Sequence, residues 1–208
     1  MYSKSLRDDT KKVLNKLAKL NFLNEFHLAG GTALALQLGH RESIDLDFFT
    51  FSKTIPGDIE KRISSLGKYF VEQKDNTTLD GELEGVKVSF FGHPYNQLYP
   101  FKKFKEVNIA DERDIAAMKI NAVVGRAFKK DFIDIYFLLK KYSLKELINF
   151  FKEKYSEVDY STVLILKSLM YFYDLGGAMP KMKKSFDWEE AKKMIKKEAE
   201  QLLKDDFE

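Results

Sequence analysis

The chain has 208 residues, enough for one domain or for a catalytic core with a helical extension, and its 44% apolar and 14% aromatic content supplies a packed interior. Thirty-five basic against 32 acidic residues leave a net charge of +3, which does not by itself mark a nucleic-acid binder. With no cysteine, disulfides, thiolate metal sites and a cysteine nucleophile are excluded.

The opening MYSKSLRDDTKKVLNKL lacks a signal-peptide apolar region. No stretch approaches the ~20 apolar residues of a bilayer span, so a soluble, cytoplasmic protein without a membrane partner is expected. From Lys4 to Leu20 the apolar residues Leu6, Val13, Leu14, Leu17 and Leu20 recur at helical spacing, predicting an amphipathic helix. A break at Asn21–Asn24 precedes a short buried strand over Phe26–Ala29. A helix over Thr32–Leu38 ends at Gly39, and a strand over Ile44–Phe51 completes this opening unit.

A helix over Pro56–Leu66 follows. Strands over Tyr69–Gln73, Thr77–Leu83 and Val86–Phe91, separated by Asp75-Asn76 and Glu84-Gly85, read as an antiparallel meander. Gly92–Phe104, with two prolines, reads as an irregular crossover, and Val107–Ile109 as one more strand. Beyond Asp111 the pattern is helical: Asp111–Val124, Lys130–Lys140, a helix opened by the Ser143–Glu146 capping box, a buried helix over Tyr160–Tyr173, and a last amphipathic helix from Asp187 to Leu203. The expected fold class is α+β, a mixed or antiparallel sheet with helices. It divides into a core over residues 1–110 and a helical region over 111–208 packed on it.

The chemistry concentrates in LAGGTALALQLGHRESIDLDFF, Leu28–Phe49. Gly30 and Gly31 allow a tight strand-to-helix turn and close approach of a phosphate to the backbone. The following helix offers free N–H groups and the positive end of its dipole to an anion. Thr32 can add a hydroxyl or simply cap, Arg41 can meet phosphate, and Ser43 can hold a backbone group or a carboxylate. Asp45 and Asp47 alternate onto one strand face, with Ile44, Leu46 and Phe48 on the other. Two carboxylates on a central strand repel and desolvate badly unless a cation joins them, and magnesium is typically held by one or two carboxylates plus substrate phosphates. A Gly-Gly turn is also ordinary packing geometry, and an Asp-x-Asp pair is often a solvated face.

A second group lies in the helical half. Lys119 and Arg126 are seven residues apart, and Asp131 and Asp134 open a helix that is apolar nearly all round. Lysine beside a triphosphate would neutralise charge in phosphoryl transfer; equally, these four can be structural braces. The three histidines, His27, His40 and His93, have no metal-ligand spacing, and the C-terminal lysines alternate with glutamates as a solvated helix face does.

Gly30-Gly31, thirteen intervening residues, and Asp45-x-Asp47 resemble the signature of the DNA polymerase β-like nucleotidyltransferase superfamily. The fuller string, with MKINAVVGRAFKKDFIDIYFLL further on, resembles the AbiEii/AbiGii toxin family, the toxin half of abortive-infection toxin–antitoxin systems. The resemblance implies an Mg2+-dependent nucleotidyltransferase moving NMP from an NTP to an RNA (tRNA) or protein hydroxyl, with a cognate antitoxin as partner. It implies Asp45, Asp47, Lys119 and Asp131 as catalytic residues and Asp45 and Asp47 as metal ligands. Gly30, Gly31, Thr32, Arg41, Ser43 and Lys119 are implied around the nucleotide, with Asp134 as a structural partner. One departure stands: where such enzymes carry a third carboxylate on a later strand, this chain has Ser89. The alternative is therefore a catalytically weakened nucleotide-binding protein on the same fold.

Overall fold

In the first half of the chain, β-branched and aromatic runs punctuated by glycine turns assemble one sheet. The computed structural model describes residues 1–205. A 3-10 turn at Ser3–Ser5 precedes α1 (Asp8–Leu17), which buries Val13, Leu14 and Leu17. The continuous helix expected from Lys4 is thus divided, because Leu6 extends to bridge Ser43. After a second 3-10 turn at Asn21–Glu25 come β1 (His27–Leu28), α2 (Gly30–Leu38), β2 (Leu46–Thr50) and α3 (Ile59–Ser64). The remaining strands are β3 (Tyr69–Lys74), β4 (Thr78–Leu83), β5 (Val86–Gly92), β6 (Lys102–Phe104) and β7 (Val107–Ile109).

The seven strands lie in the order β3-β4-β5-β2-β1-β7-β6. β3, β4 and β5 form the expected antiparallel meander; Glu84 and Gly85 both have positive φ, 51° and 81°, the backbone a tight hairpin of that hand requires. β2 runs parallel to β5 and antiparallel to β1, and β1 runs parallel to β7. The sheet is therefore mixed, with β2 near its centre. The short β6, set inside the stretch expected to be irregular, pairs with β7 in a hairpin. Its Lys-Lys-Phe composition suits a sheet edge and reads locally as loop.

The second half is helical: α4 (Glu112–Gly125), α5 (Lys129–Leu139), α6 (Leu144–Lys154), α7 (Thr162–Leu169) and α8 (Trp188–Asp205). Ser143 and Glu146 make the reciprocal capping-box bonds at the start of α6. The buried helix expected over Tyr160–Tyr173 shrinks to α7, and Leu164, Tyr171 and Tyr173 are exposed. Apolar composition alone did not reveal which residues the core has room for. α4 packs against α2, α5, α6 and α7, while α8 packs on α5, α6 and α7. One contiguous set of buried side chains runs from Leu46, Phe48 and Phe90 in the sheet to Ile120, Phe132 and Ile135 in the helices. Each such large side chain contributes about 1.5–3 kcal/mol by leaving water. No helix among the described residues is long and apolar enough to cross a membrane.

Candidate active site

β1 hands the chain directly to α2 at Gly30, whose φ of +62° strains any side chain. A Cβ there would also stand 2.7 Å from Asp47 Oδ2, and one at Gly31 would collide with the Arg41 guanidinium. Both glycines are dictated by close approach. The amide-rich start of α2 consequently sits against Asp47 and Arg41. Thr32 is buried; its hydroxyl donates to the Asp45 carbonyl and lies 2.8 Å from Ser43 Oγ. Thr32 and Ser43 therefore clamp the approach to β2 against α2.

Asp47 stands on β2 and Asp45 one residue before it, both half-buried on the floor of a cavity of about 900 Å3. Ile44, expected among the buried neighbours, is 46% exposed, because the strand begins only at Leu46. Burial, reinforced by the charge of Asp45, pushes the Asp47 carboxyl above its ordinary value. Lys130 Nζ, from the start of α5, approaches Asp45 Oδ2 at 3.3 Å.

Beneath this floor lies a buried ionic network centred on Asp134. Arg41 donates to it through Nε at 2.7 Å and Nη2 at 2.9 Å, His40 Nε2 lies 2.7 Å away, and Lys119 Nζ is at 2.7 Å. Lys119 also reaches Asp131 at 2.7 Å, and Asp131 accepts from Arg126 Nε at 3.2 Å. Burial alone would raise Asp134, but Arg41 and Lys119 overturn that and hold it well below the carboxylate range. Burial would likewise strip the Lys119 proton, yet Asp134 and Asp131 raise its pKa and keep it charged. For His40 burial wins, and its imidazole is held below 6.5 despite Asp134. Charges this deep persist only when paired.

Gly30, Gly31, Arg41, Ser43, Asp45, Asp47 and Lys119 all line the cavity, whereas Thr32 and Asp131 do not. Lys119 presents a cavity wall, but its ammonium is engaged by two aspartates. Ser89 pairs in register with Asp47 on one side and with Asp80 of β4 on the other. The row Asp47–Ser89–Asp80 thus crosses three strands on one face, and Asp80 lines the cavity with one carboxylate oxygen unpartnered among the described residues. Glu82 is exposed and Glu84 pairs with Lys16, so both are surface acids.

A loop from the far end of the chain completes the wall. The Lys129 amide donates to Gly176, the Glu42 amide to Lys181, and the Lys183 amide to His40. Between these fastenings Gly177–Lys181 lines the cavity mouth.

The residues fit a hard divalent cation: two carboxylates share one face, and the Asp47 anion is disfavoured by burial and by its neighbour. Among the described residues no three His, Asp or Glu side chains gather to hold a metal, so remaining ligands would have to come from substrate and water.

The profile of the family described as nucleotidyl transferase AbiEii toxin, type IV TA system, matches residues 12–208. The chain belongs to the AbiEii nucleotidyltransferase family. An uncharacterised protein of Aquifex aeolicus, aq_aa25, is 37% identical over 207 residues, covering 96% of this chain and 98% of that one. The solved structure of JHP933 from Helicobacter pylori matches with a TM-score of 0.57 at 19% identity, over 96% of this chain and 94% of the other. MenT4, a nucleotidyltransferase toxin of Mycobacterium tuberculosis, matches with a TM-score of 0.55 at 13% identity, over 93% and 84%. These likenesses are of fold.

In this AbiEii chain several cavity residues escape a reading by motif. Lys130 is one of many lysines, and only its place at the start of α5 brings it to Asp45. Asp80 is found only through strand register, although its parity with Glu82 on β4 is visible in the sequence. Phe49, Phe91 and His93 line the cavity; beforehand the two phenylalanines look like ordinary strand hydrophobics and His93 like an isolated loop histidine.

Proposed function

We propose that this protein transfers a nucleoside monophosphate from an NTP to a hydroxyl acceptor, with Mg2+ held by Asp45 and Asp47. The observation that carries the reading is the carboxylate pair facing the glycine-opened start of α2 inside a cavity rimmed by Arg7, Arg126, Lys130 and Lys181. Asp45 and Asp47 would hold the metal, which would supply charge neutralisation for phosphoryl transfer.

The chain's own groups do the rest. The backbone at Gly30 and Gly31 receives phosphate where any side chain would block it. Arg41, fixed by Asp134, holds a guanidinium beside Gly31. Lys130 and the half-exposed Arg126, paired with Asp45 and Asp131, can turn toward phosphate, while Lys119 bridges Asp131 and Asp134 and locks α4 to α5. Asp131 acts through Lys119 and Arg126 as a positioning residue. The basic rim favours a polyanionic acceptor such as RNA over a protein side chain, and the family resemblance suggests a tRNA end. The family implies restraint by an antitoxin.

The test incubates the protein with Mg2+, each labelled NTP and total tRNA, beside Asp45→Ala and Asp47→Ala. Label on RNA that both variants lose is expected. Absence of label on RNA and protein, or equal labelling by the variants, refutes the mechanism. Ser89, buried directly opposite Asp47, supports the second reading, a catalytically weakened nucleotide binder. On that reading NTP raises the melting temperature equally with and without Mg2+.

A further inference from the structure

The cavity floor changes chemistry along the strands. On β2, Asp47 and Phe49 occupy successive positions of one face; beside them on β5 stand Ser89 and Phe91, in register at Asp47–Ser89 and Phe49–Phe91. The next strand continues both rows, with Asp80 beside Ser89 and Thr78 beside Phe91. One row is therefore acidic and the next aromatic, separated by two residues, or roughly 6.6 Å of strand. Phe49 and Phe91 are half-buried, their ring centroids 5.1 Å apart at 33°, and His93 meets Phe49 edge-on at 5.4 Å. All three line the cavity, facing a wall to which α4 contributes Met118, Asn121 and Ala122. Asn121 is exposed there and carries both a donor and an acceptor.

A triphosphate and a metal have no use for this apolar end. Flat rings left half-open to a polar cavity suit a ligand with a π-face, and an adjacent amide suits a heteroaromatic edge. His93 strengthens the match: burial and the charge of Lys154 hold its pKa down to about 4, so it meets a ligand as a neutral ring at pH 7.

We propose that Phe49 and Phe91 form a stacking platform for a nucleobase, with Asn121 facing the base edge. The inference rests on the nucleotide reading of the carboxylate pair and adds to it the group recognised beyond the phosphates. The base belongs either to the donor NTP or to the acceptor RNA, and one experiment separates the two.

Affinities are measured by calorimetry for Mg-NTP, Mg-tripolyphosphate and a short single-stranded RNA, on the wild type, Phe49→Leu, Phe91→Leu and Asn121→Ala. Leucine keeps the apolar volume and removes the π-face. Phe51→Leu, which removes an exposed ring just past the end of β2 and outside the cavity, serves as the control. Loss of about tenfold in NTP affinity in the two Phe variants, with tripolyphosphate unchanged, identifies the donor base as the occupant. The same loss confined to RNA identifies an acceptor base. If both ligands bind all four variants as they bind the wild type, the platform is overturned while the nucleotidyl-transfer reading stands. If the wild type binds neither Mg-NTP nor Mg-tripolyphosphate, both are overturned. Thermal melts of each variant exclude misfolding as the cause of a loss.

Discussion

Lys130 Nζ stands 3.3 Å from Asp45 Oδ2, so a side chain of α5 reaches the carboxylate that β2 brings to the cavity floor. A cation and this ammonium compete for the same oxygen. Lys130→Met is expected to tighten Mg2+ binding in the absence of nucleotide by about threefold or more, since a like charge within ~4 Å of the ion is removed. It should also weaken Mg-NTP binding, because the triphosphate loses a mobile partner. Titration of Mn2+ or Mg2+ with and without NTP checks both directions; parallel changes would contradict the competition.

Asp134 gathers Arg41, His40 and Lys119, and Asp134→Asn leaves the Arg41 and Lys119 cations without their shared anion. Breaking a buried pair on one side costs about 3–5 kcal/mol, or roughly 6–20 °C in melting temperature for a chain of this size. The folded Asp134 titrates well below its ordinary 3.8, so as pH falls the unfolded chain takes up the proton first. The stability difference between wild type and variant should hold steady above about pH 5 and shrink below about pH 4. Denaturant melts across that range measure it.

Asp47 has the opposite sign. Its folded carboxyl lies above 3.8, so deprotonation costs stability as pH rises through that value, and the deficit persists at neutral pH. Metal-free Asp47→Asn is expected to gain about 1 kcal/mol at pH 7, the scale of two unit charges a few ångströms apart in water, and to lose that gain near pH 3. Added Mg2+ should raise the melting temperature of the wild type and not of the variant. The variant should also transfer no label. The site costs the fold stability that removing its charge returns.

Gly30→Ala combines a positive φ with a Cβ 2.7 Å from Asp47 Oδ2. A loss of about 1–3 kcal/mol in stability is expected, with a fall in transfer beyond what the folded fraction explains. Gly57→Ala, where a Cβ meets open space, should leave both unchanged.

The parts of this molecule legible in the sequence are those whose cause is local. Gly39 stops α2 in the left-handed conformation, Ser143 and Glu146 cap α6, and Glu84-Gly85 turns the meander, each through groups within a few residues. Asp45 and Asp47 declared themselves by spacing and by apolar neighbours. What stayed hidden depends on distance along the chain. Thr32 looks like a phosphate-facing cap until Ser43 and the Asp45 carbonyl arrive to engage it. Lys119 reads as a phosphate partner until α5 delivers Asp131 and Asp134 on either side of its ammonium. Asp134 reads as a structural partner, but nothing local announces that residues 40, 41 and 119 converge on it. Phe49 and Phe91 needed the register of two parallel strands before they could be seen side by side.

The fastening of Gly176–Lys183 onto His40, Glu42 and Lys129 sets an order of events during synthesis. Asp47 leaves the ribosome early, yet the cavity mouth is bounded by residues made more than a hundred positions later. At about 5–20 residues per second, roughly six to twenty-six seconds separate the making of the acidic pair from the making of the loop that borders it. For a member of a toxin family, translation itself thereby supplies an interval in which the carboxylates exist without their finished enclosure.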